Sequence, residues 1–414
     1  MKILHVTDTY APTVGGIEVL VHGLAARQAA AGHQVTVLTR TAGLTGRDTN
    51  GVRVVRDVHA RRTLASESDT VHSHVSAISP LALRTAEFAA TQEIPVVATV
   101  HSMWTGTWPL YRATATVRGW TDLPIQWAAV SEAASDPLRR ALAGRSVLVL
   151  PNAVDTALWA PASAHPAADG TRTAHGSPGL AAETAPALVP REGGKGGPVT
   201  IVSVMRMTGR KRPLPLVSAL RRMRAGLPAD VDVRAVLVGD GHQLGEVRRR
   251  ISRWGMQDWV EAPGALEHHE IRALYERADV FAAPATLESF GIAALEARAA
   301  GLAVVARAGT GVADFVSDGV EGLLAGSDAQ MATQLGQLCT DHALRTRIKR
   351  YNAAVAPAYD WSDVLWRTAY AYEAAAQLAA GAHHTVVQGA LDLARSRRDR
   401  YPAIAAREIE GDPA

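Results

Sequence analysis

Ala278-Asp-Val-Phe-Ala-Ala-Pro-Ala-Thr-Leu-Glu-Ser-Phe-Gly-Ile-Ala-Ala-Leu-Glu296 is the stretch on which the reading of the fold turns. Its apolar run through Ala283 has the length and composition of a buried strand, and Pro284 ends it. From residue 292 the apolar positions recur with helical period, so the chain passes from strand to helix through a single loop. In an open parallel sheet, ligands bind beyond the carboxyl ends of the strands, which puts this loop, and Glu288 within it, where a site belongs. The helix begins near Gly291, and its first N–H groups have no intrahelical partner, so they can receive an anion or a ring of hydroxyls. Gly291 lets a ligand come close to the backbone. Glu296, one to two turns further on, can point back to the same place, and two carboxylates can accept hydrogen bonds from two sets of hydroxyls.

The same alternation of short β-branched runs and longer helical segments extends in both directions. Residues 199–204, 232–239, 259–261, 280–283 and 303–306 read as strands, and residues 214–224, 244–254, 269–277, 292–300 and 329–338 read as helices, which makes residues 199–358 a doubly wound domain. Upstream, residues 3–6, 34–38, 52–55, 70–72 and 95–100 are the clearest strands, with a helix over 18–31 ended by Gly32, so residues 1–158 form a first domain of the same kind. Between them, residues 159–198 are Ala, Pro, Gly, Ser and Thr without apolar period, a linker or disordered insertion. Residues 359–380 read as a C-terminal helix, and residues 381–414 as a polar, solvated tail carrying Arg395, Arg397, Arg398 and Arg400.

Composition narrows the classes. Forty-three basic residues against 40 acidic ones leave a net charge of +3 over 414 residues, spread along the chain, which gives no reason to expect nucleic acid as a partner. The single cysteine, Cys339, excludes an intramolecular disulfide framework and a multi-cysteine zinc site and reads as a core filler. The N-terminus is apolar for only a few residues before Asp8 and reads as a first strand. No window reaches the roughly 18 apolar residues of a membrane span. The expected location is cytoplasmic, and any contact with the inner face of a membrane is expected to be peripheral.

Glu288-Ser-Phe-Gly-Ile-Ala-Ala-Leu-Glu296 resembles the E-x7-E signature of the retaining GT-B glycosyltransferases of family four, and Pro284, Phe290-Gly291 and Ala297-Arg-Ala-Ala-Gly301 strengthen the match. The resemblance covers residues 1 to about 375. It implies an α/β protein of two Rossmann-like domains facing across a cleft, the first for the acceptor and the second for a nucleotide-sugar donor, with the C-terminal helix crossing back to the first. By the resemblance, Glu288 meets the donor hexose, Glu296 the nucleotide ribose, and the backbone of Ser289, Phe290 and Gly291 the sugar and phosphate. Arg206 and Lys211 then serve the donor phosphates, a role that a guanidinium and an ammonium at the carboxyl end of a strand suit. Val238-Gly-Asp-Gly241 resembles a strand-turn element of the family, and Pro263-Gly-Ala-Leu266 the segment lining the base pocket, with Gly264 and Leu266 as its contacts.

In the first domain, Gly15-Gly16 lies between the first strand and first helix, where the family has a glycine pair and where backbone N–H groups can meet a diphosphate. His101 resembles the family's histidine near donor sugar and acceptor; an imidazole can donate to a hydroxyl or accept its proton near neutral pH. His72 and His74 are weaker candidates, more often structural. Trp104, Trp108 and Tyr111 either stack on an acceptor sugar or form a packed loop. The sequence departs from the family pattern at Ala153, at Arg212-Pro213 after Lys211, and at Asp314.

The function implied is transfer of a hexose-type group from a nucleoside-diphosphate sugar to an acceptor hydroxyl with retention, His101, Glu288, Arg206 and Lys211 being the catalytic candidates. Arg206, Lys211 and the helix N-termini at Gly16 and Gly291 would stabilise the departing diphosphate without a metal. Asp230-Val-Asp232, the one D-x-D sequence, lies at a strand start, so neither metal nor cofactor is expected. Closure of the domains over the donor is expected. Two alternatives stand beside this reading: a non-catalytic nucleotide-sugar-binding relative or partner subunit in glycan assembly, and a dinucleotide-dependent oxidoreductase. The latter rests on Gly239-Asp-Gly-His-Gln-Leu-Gly245, one residue too long for G-x-G-x-x-G. Sugar, base, acceptor and oligomeric state stay open.

Overall fold

The computed structural model describes residues 1–13, 15–161 and 197–381. Residues 162–196 of the expected linker, and the tail from residue 382, lie outside the described residues. Contacts divide the chain into two units: Met1–Asn152 together with the segment from Ser362, and Ala153–Trp361.

The first unit is built on an eight-stranded sheet of β1 (Lys2–Thr7), β2 (Gln34–Thr39), β3 (Gly46–Arg47), β4 (Arg53–Val55), β5 (Thr70–Val75), β6 (Val96–Val100), β7 (Ile125–Ala129) and β8 (Val147–Val149). Their order is β3-β4-β2-β1-β5-β6-β7-β8, parallel throughout except for β3 against β4. β5, β6 and β7 are buried along their whole length, the condition under which a parallel strand shows a continuous rather than alternating apolar pattern. β5 runs to Val75, beyond the expected end at residue 72, because His72 and His74 are satisfied inside the unit and do not end the strand. The first helix, Gly16–Ala30, starts two residues earlier than expected, and Gly32 follows it with φ +88°. The C-terminal helix Trp361–Ala379 lays Ala371, Tyr372 and Ala375 on Ile3, Val97, Ala128 and Leu150 of this unit.

The second unit holds β9 (Val199–Val204), β10 (Val233–Val238), β11 (Val260–Gly264), β12 (Val280–Ala283), β13 (Ala303–Arg307) and β14 (Gly322–Ala325), all parallel, in the order β11-β10-β9-β12-β13-β14. This is the doubly wound order 3-2-1-4-5-6, in which the winding direction reverses between the first and fourth strands, here β9 and β12. β11 continues through Pro263 to Gly264 where the sequence reading stops at residue 261. β11 is an edge strand, so the missing N–H of Pro263 breaks no ladder. Residues 153–161 belong with this unit: Val154 bridges Asp360, and the Trp159 ring packs 5.4 Å from Tyr275. Cys339 is a buried free thiol in its core, pushed up to about 11 by burial, and so an inert filler. No helix among the described residues is long and apolar enough to cross a membrane.

Candidate active site

In the second unit the switch point brings together Lys211 and Glu288 of the residues singled out in the sequence. The segment after β9 forms a short turn, Gly209–Lys211, and the segment after β12 carries Glu288. Lys211 Nζ donates to Glu288 Oε2 at 2.5 Å, both side chains being largely buried. Arg212, where the family commonly has glycine, takes the left-handed conformation (φ 62°) and leads into Pro213 at the start of the helix Pro213–Ala225. Its guanidinium is held by Asp328 at 2.5 Å, which offsets a conformation that a non-glycine residue adopts only at a cost. Arg206 is exposed, and its side chain makes no hydrogen bond or ion pair among the described residues.

The loop itself is held by its own unit. Gly311 N–H donates to the Glu288 carbonyl at 2.9 Å, and a Cβ at Gly311 would lie 2.2 Å from the Ser289 carbonyl oxygen. Gly291 caps the helix Ile292–Ala299 with φ +96°, and a Cβ there would lie 2.7 Å from Val312 Cγ2. Glycine is therefore required at 291 by the protein's own packing, whatever binds nearby. Phe290 is buried against Phe315 and Tyr359, with ring centroids 5.5 and 5.6 Å away. Its side chain is core, which leaves its backbone for any ligand.

Glu296 sits a turn inside that helix, half-buried, with no hydrogen-bond or ion-pair partner among the described residues. The helix N-terminus favours a carboxylate, but its effect fades beyond the first turn. Burial prevails and pushes the Glu296 carboxyl up to about 8. The same carboxyl adds to the burial that raises the Tyr275 phenol, whose hydroxyl donates to the Ala293 carbonyl at 3.3 Å.

On the other side of β9, Gly264 is buried with φ +111° and accepts at its carbonyl from Gly239 N–H at 2.7 Å; Leu266 is half-buried two residues on. A Cβ at Gly239 would lie 1.8 Å from the Met205 carbonyl oxygen, and one at Gly241 2.6 Å from that of Met207. The space that a dinucleotide fingerprint keeps open for pyrophosphate is here filled by the protein's own backbone, which removes the basis of the oxidoreductase reading.

In the first unit, Gly15 is the extended N-cap of the first helix, with no side-chain cap. A Cβ on it would lie 2.5 Å from Glu18 Oε2, so that carboxylate lies beside the N–H groups assigned to a diphosphate. Gly16 is the first helical residue. His101 continues β6 by one bond, its N–H donating to the Val75 carbonyl at 2.8 Å. Its imidazole is buried and pushed down to about 3, so it stays neutral at physiological pH. It offers a hydrogen bond there rather than a base strong enough to take a proton. Trp104 is buried and stacks on Tyr111 at 3.6 Å and 3°, the packed-loop alternative for that pair.

Residues 187–355 match the family model of glycosyl transferases group 1, and residues 14–158 that of glycosyltransferase family 4. The chain belongs to the group 1 glycosyltransferases. Among its relatives, glycogen synthase of Mycobacterium tuberculosis is 27% identical over 91% of this chain and 95% of its own length. D-inositol 3-phosphate glycosyltransferase of an Arthrobacter species is 32% identical over 46% of this chain and 47% of its own length. The fold matches that of Anabaena HepE, solved with UDP and glucose, with a TM-score of 0.67 at 20% identity over 89% of this chain and 98% of that one. It is the GT-B fold.

The glycosyltransferase holds one further polar cluster that the sequence reading missed. His5, His72 and His74 bring ring nitrogens within 4.8 Å of one another, a spacing that a metal ion would tolerate. All six nitrogens are already committed to hydrogen bonds, to Gln28, Thr99, Tyr372, His101 and each other. A metal would have to displace these bonds. The available signal was the pair His72 and His74 two apart in a strand, hence on one face, in register with His5.

Proposed function

We propose that this glycosyltransferase moves a hexose from a nucleoside-diphosphate sugar to an acceptor hydroxyl, with retention at the anomeric carbon and without a metal. The observation that carries the reading is the Lys211–Glu288 pair at the β9/β12 switch point; the same segment after β9 also carries the exposed Arg206, whose side chain has no partner among the described residues. The C1–O bond to the diphosphate breaks with its electrons on the phosphate, the acceptor oxygen bonds to C1, and the hydroxyl proton passes to the departing diphosphate oxygen. Arg206 and Lys211 are assigned to the growing phosphate charge, Glu288 to hexose hydroxyls, Glu296 to the ribose, and Gly264 and Leu266 to the base. The backbone of Ser289, Phe290 and Gly291, and that of Gly15 and Gly16, is assigned to sugar and phosphate.

His101 is assigned to a substrate hydroxyl. His101 Nδ1, Ser102 Oγ and Trp104 Nε1 are buried without a partner within four residues of one another along the chain. Buried polar atoms are ordinarily satisfied by a partner, water or a ligand, and these three support the assignment. For metal independence, the support is that Asp230 and Asp232 precede β10, at the amino end of the sheet, whereas the cations lie at the carboxyl end. HepE's bound UDP and glucose favour a nucleotide-sugar donor as a class.

The test is nucleotide release from a panel of UDP-, GDP- and ADP-sugars, with and without a chelator, by wild type and Glu288→Ala. Release that persists with chelator and is lost in the variant is expected. Equal release by both proteins sinks the role of Glu288, and chelator-sensitive release restored by a divalent ion sinks metal independence.

A further inference from the structure

One hydrogen-bonded array runs through the first unit from His101 to Thr99. His101 Nε2 lies 3.1 Å from His74 Nδ1, and His74 Nε2 lies 3.0 Å from His5 Nδ1. His5 Nε2 then meets Gln28 Oε1 at 2.7 Å, and Gln28 Nε2 donates to the Tyr372 hydroxyl at 3.1 Å. The Tyr372 hydroxyl meets His72 Nδ1 at 3.1 Å, and His72 Nε2 meets Thr99 Oγ1 at 2.8 Å. All seven side chains are buried, and burial pushes all four imidazoles down, so each ring is neutral, with one donor and one acceptor nitrogen.

The Gln28 amide then sets the sense of the whole chain. A carbonyl oxygen facing His5 requires a proton on His5 Nε2, which leaves His5 Nδ1 to accept from His74 Nε2–H. His74 Nδ1 must in turn accept from His101 Nε2–H. On the other side the Gln28 NH2 donates to Tyr372, whose hydroxyl donates to His72 Nδ1, and His72 Nε2–H donates to Thr99. Every bond points away from His101, and the one imidazole nitrogen left without a partner is the Nδ1 lone pair of His101. Turning the amide over would reverse each bond in turn and place a proton on that same Nδ1. Bonds aligned in one sense polarise one another, so the reversal is collective.

We propose that Gln28 and Tyr372 are positioning residues for sugar transfer: through His5 and His74 they hold His101 in the Nε2–H tautomer and present its Nδ1 lone pair to a substrate hydroxyl. The inference rests on the assignment of His101 to substrate made above. It gives the C-terminal helix a part in the chemistry, since Tyr372 is the only member of the array from beyond residue 101. A metal held by His5, His72 and His74 would break the same bonds and is excluded by the same experiment.

Long-range proton–nitrogen NMR of the full-length protein, labelled at histidine nitrogen and free of substrate, reads the tautomer directly. Histidines 5, 72, 74 and 101 are expected as single Nε2–H tautomers, unchanged by added zinc. A proton on His101 Nδ1, a mixture of tautomers, or a zinc-dependent shift of the cluster overturns the proposal. Gln28→Leu is expected to mix the His101 tautomers and lower kcat by about three- to tenfold with the donor KM little changed. Gln28→Glu keeps an acceptor facing His5 and is expected to restore both. If Gln28→Leu lowers kcat while the His101 tautomer stays single, the residue is merely structural and the proposal fails. Should His101→Ala retain full activity while the wild-type tautomer is as expected, it is the substrate role of His101 that fails.

Discussion

Glu296→Gln isolates one consequence of burial. In the unfolded chain this carboxyl loses its proton near its ordinary 4.5, whereas in the folded protein it keeps it to about 8. Below 4.5 both states are protonated and the group has no effect on stability. Between 4.5 and 8 the unfolded state binds fewer protons than the folded one, so stability falls as pH rises and levels off above 8. Carrying the unfolded carboxyl from 4.5 to pH 7, at about 1.4 kcal/mol per pH unit, gives about 3 kcal/mol. Glu296 keeps some solvent contact, so about half of that, roughly 1.5 kcal/mol, is the expected cost at pH 7. The isosteric amide has no proton to lose. Unliganded Glu296→Gln should therefore melt about 3–6 °C above wild type at pH 7, with the gap nearly closed at pH 5 and widest near pH 8. Thermal unfolding in one mixed buffer from pH 5 to 8.5 checks this. The same variant should bind nucleotide more weakly above pH 8, where the wild-type carboxyl has lost its proton and offers the ribose two acceptor oxygens against the amide's one. Melting curves that stay parallel across the range, or a gap that widens toward pH 5, would refute the burial argument.

Lys211→Met should still fold, with some loss of stability from the Glu288 carboxylate it leaves without its partner, and should reduce kcat by about a hundredfold, the loss typical of removing one preorganised charge partner of a reacting group; steady-state kinetics with the accepted donor decides, and a loss under threefold would remove Lys211 from the catalytic set. Gly239→Ala should destabilise the second unit by about 3 kcal/mol or more, since its Cβ would lie 1.8 Å from a backbone oxygen and the residue has φ +132°. A urea midpoint close to wild type would show that the Met205–Met207 segment yields more easily than a packed backbone should.

Legibility in the sequence followed how local each signal was. The passage from β12 to its helix could be read because an apolar run, Pro284 and Gly291 agree within a dozen residues. The His72-Ser-His74 end of β5 could not, because a polar residue inside a strand reads as its end unless its partners are known. One of them, Tyr372, is 300 residues away along the chain. β11 passed through Pro263 unseen for a related reason: whether a strand tolerates proline depends on its being an edge, and sheet order is a tertiary fact. The family pattern named both Lys211 and Glu288, but not that they meet, since 77 residues separate them.

That meeting bears on how a donor would bind. In the pair, the ammonium assigned to phosphate and the carboxylate assigned to sugar neutralise each other, so neither is an unpaired, largely buried charge. A charge-assisted bond of this kind contributes roughly 1.5–3 kcal/mol, about what a phosphate oxygen would give Lys211 in its place. Exchanging one anion for the other is thus close to even in energy. On the proposed assignments, a diphosphate that took over Lys211 would release Glu288 to accept from hexose hydroxyls, so that the carboxylate assigned to sugar would become available as the phosphate arrived.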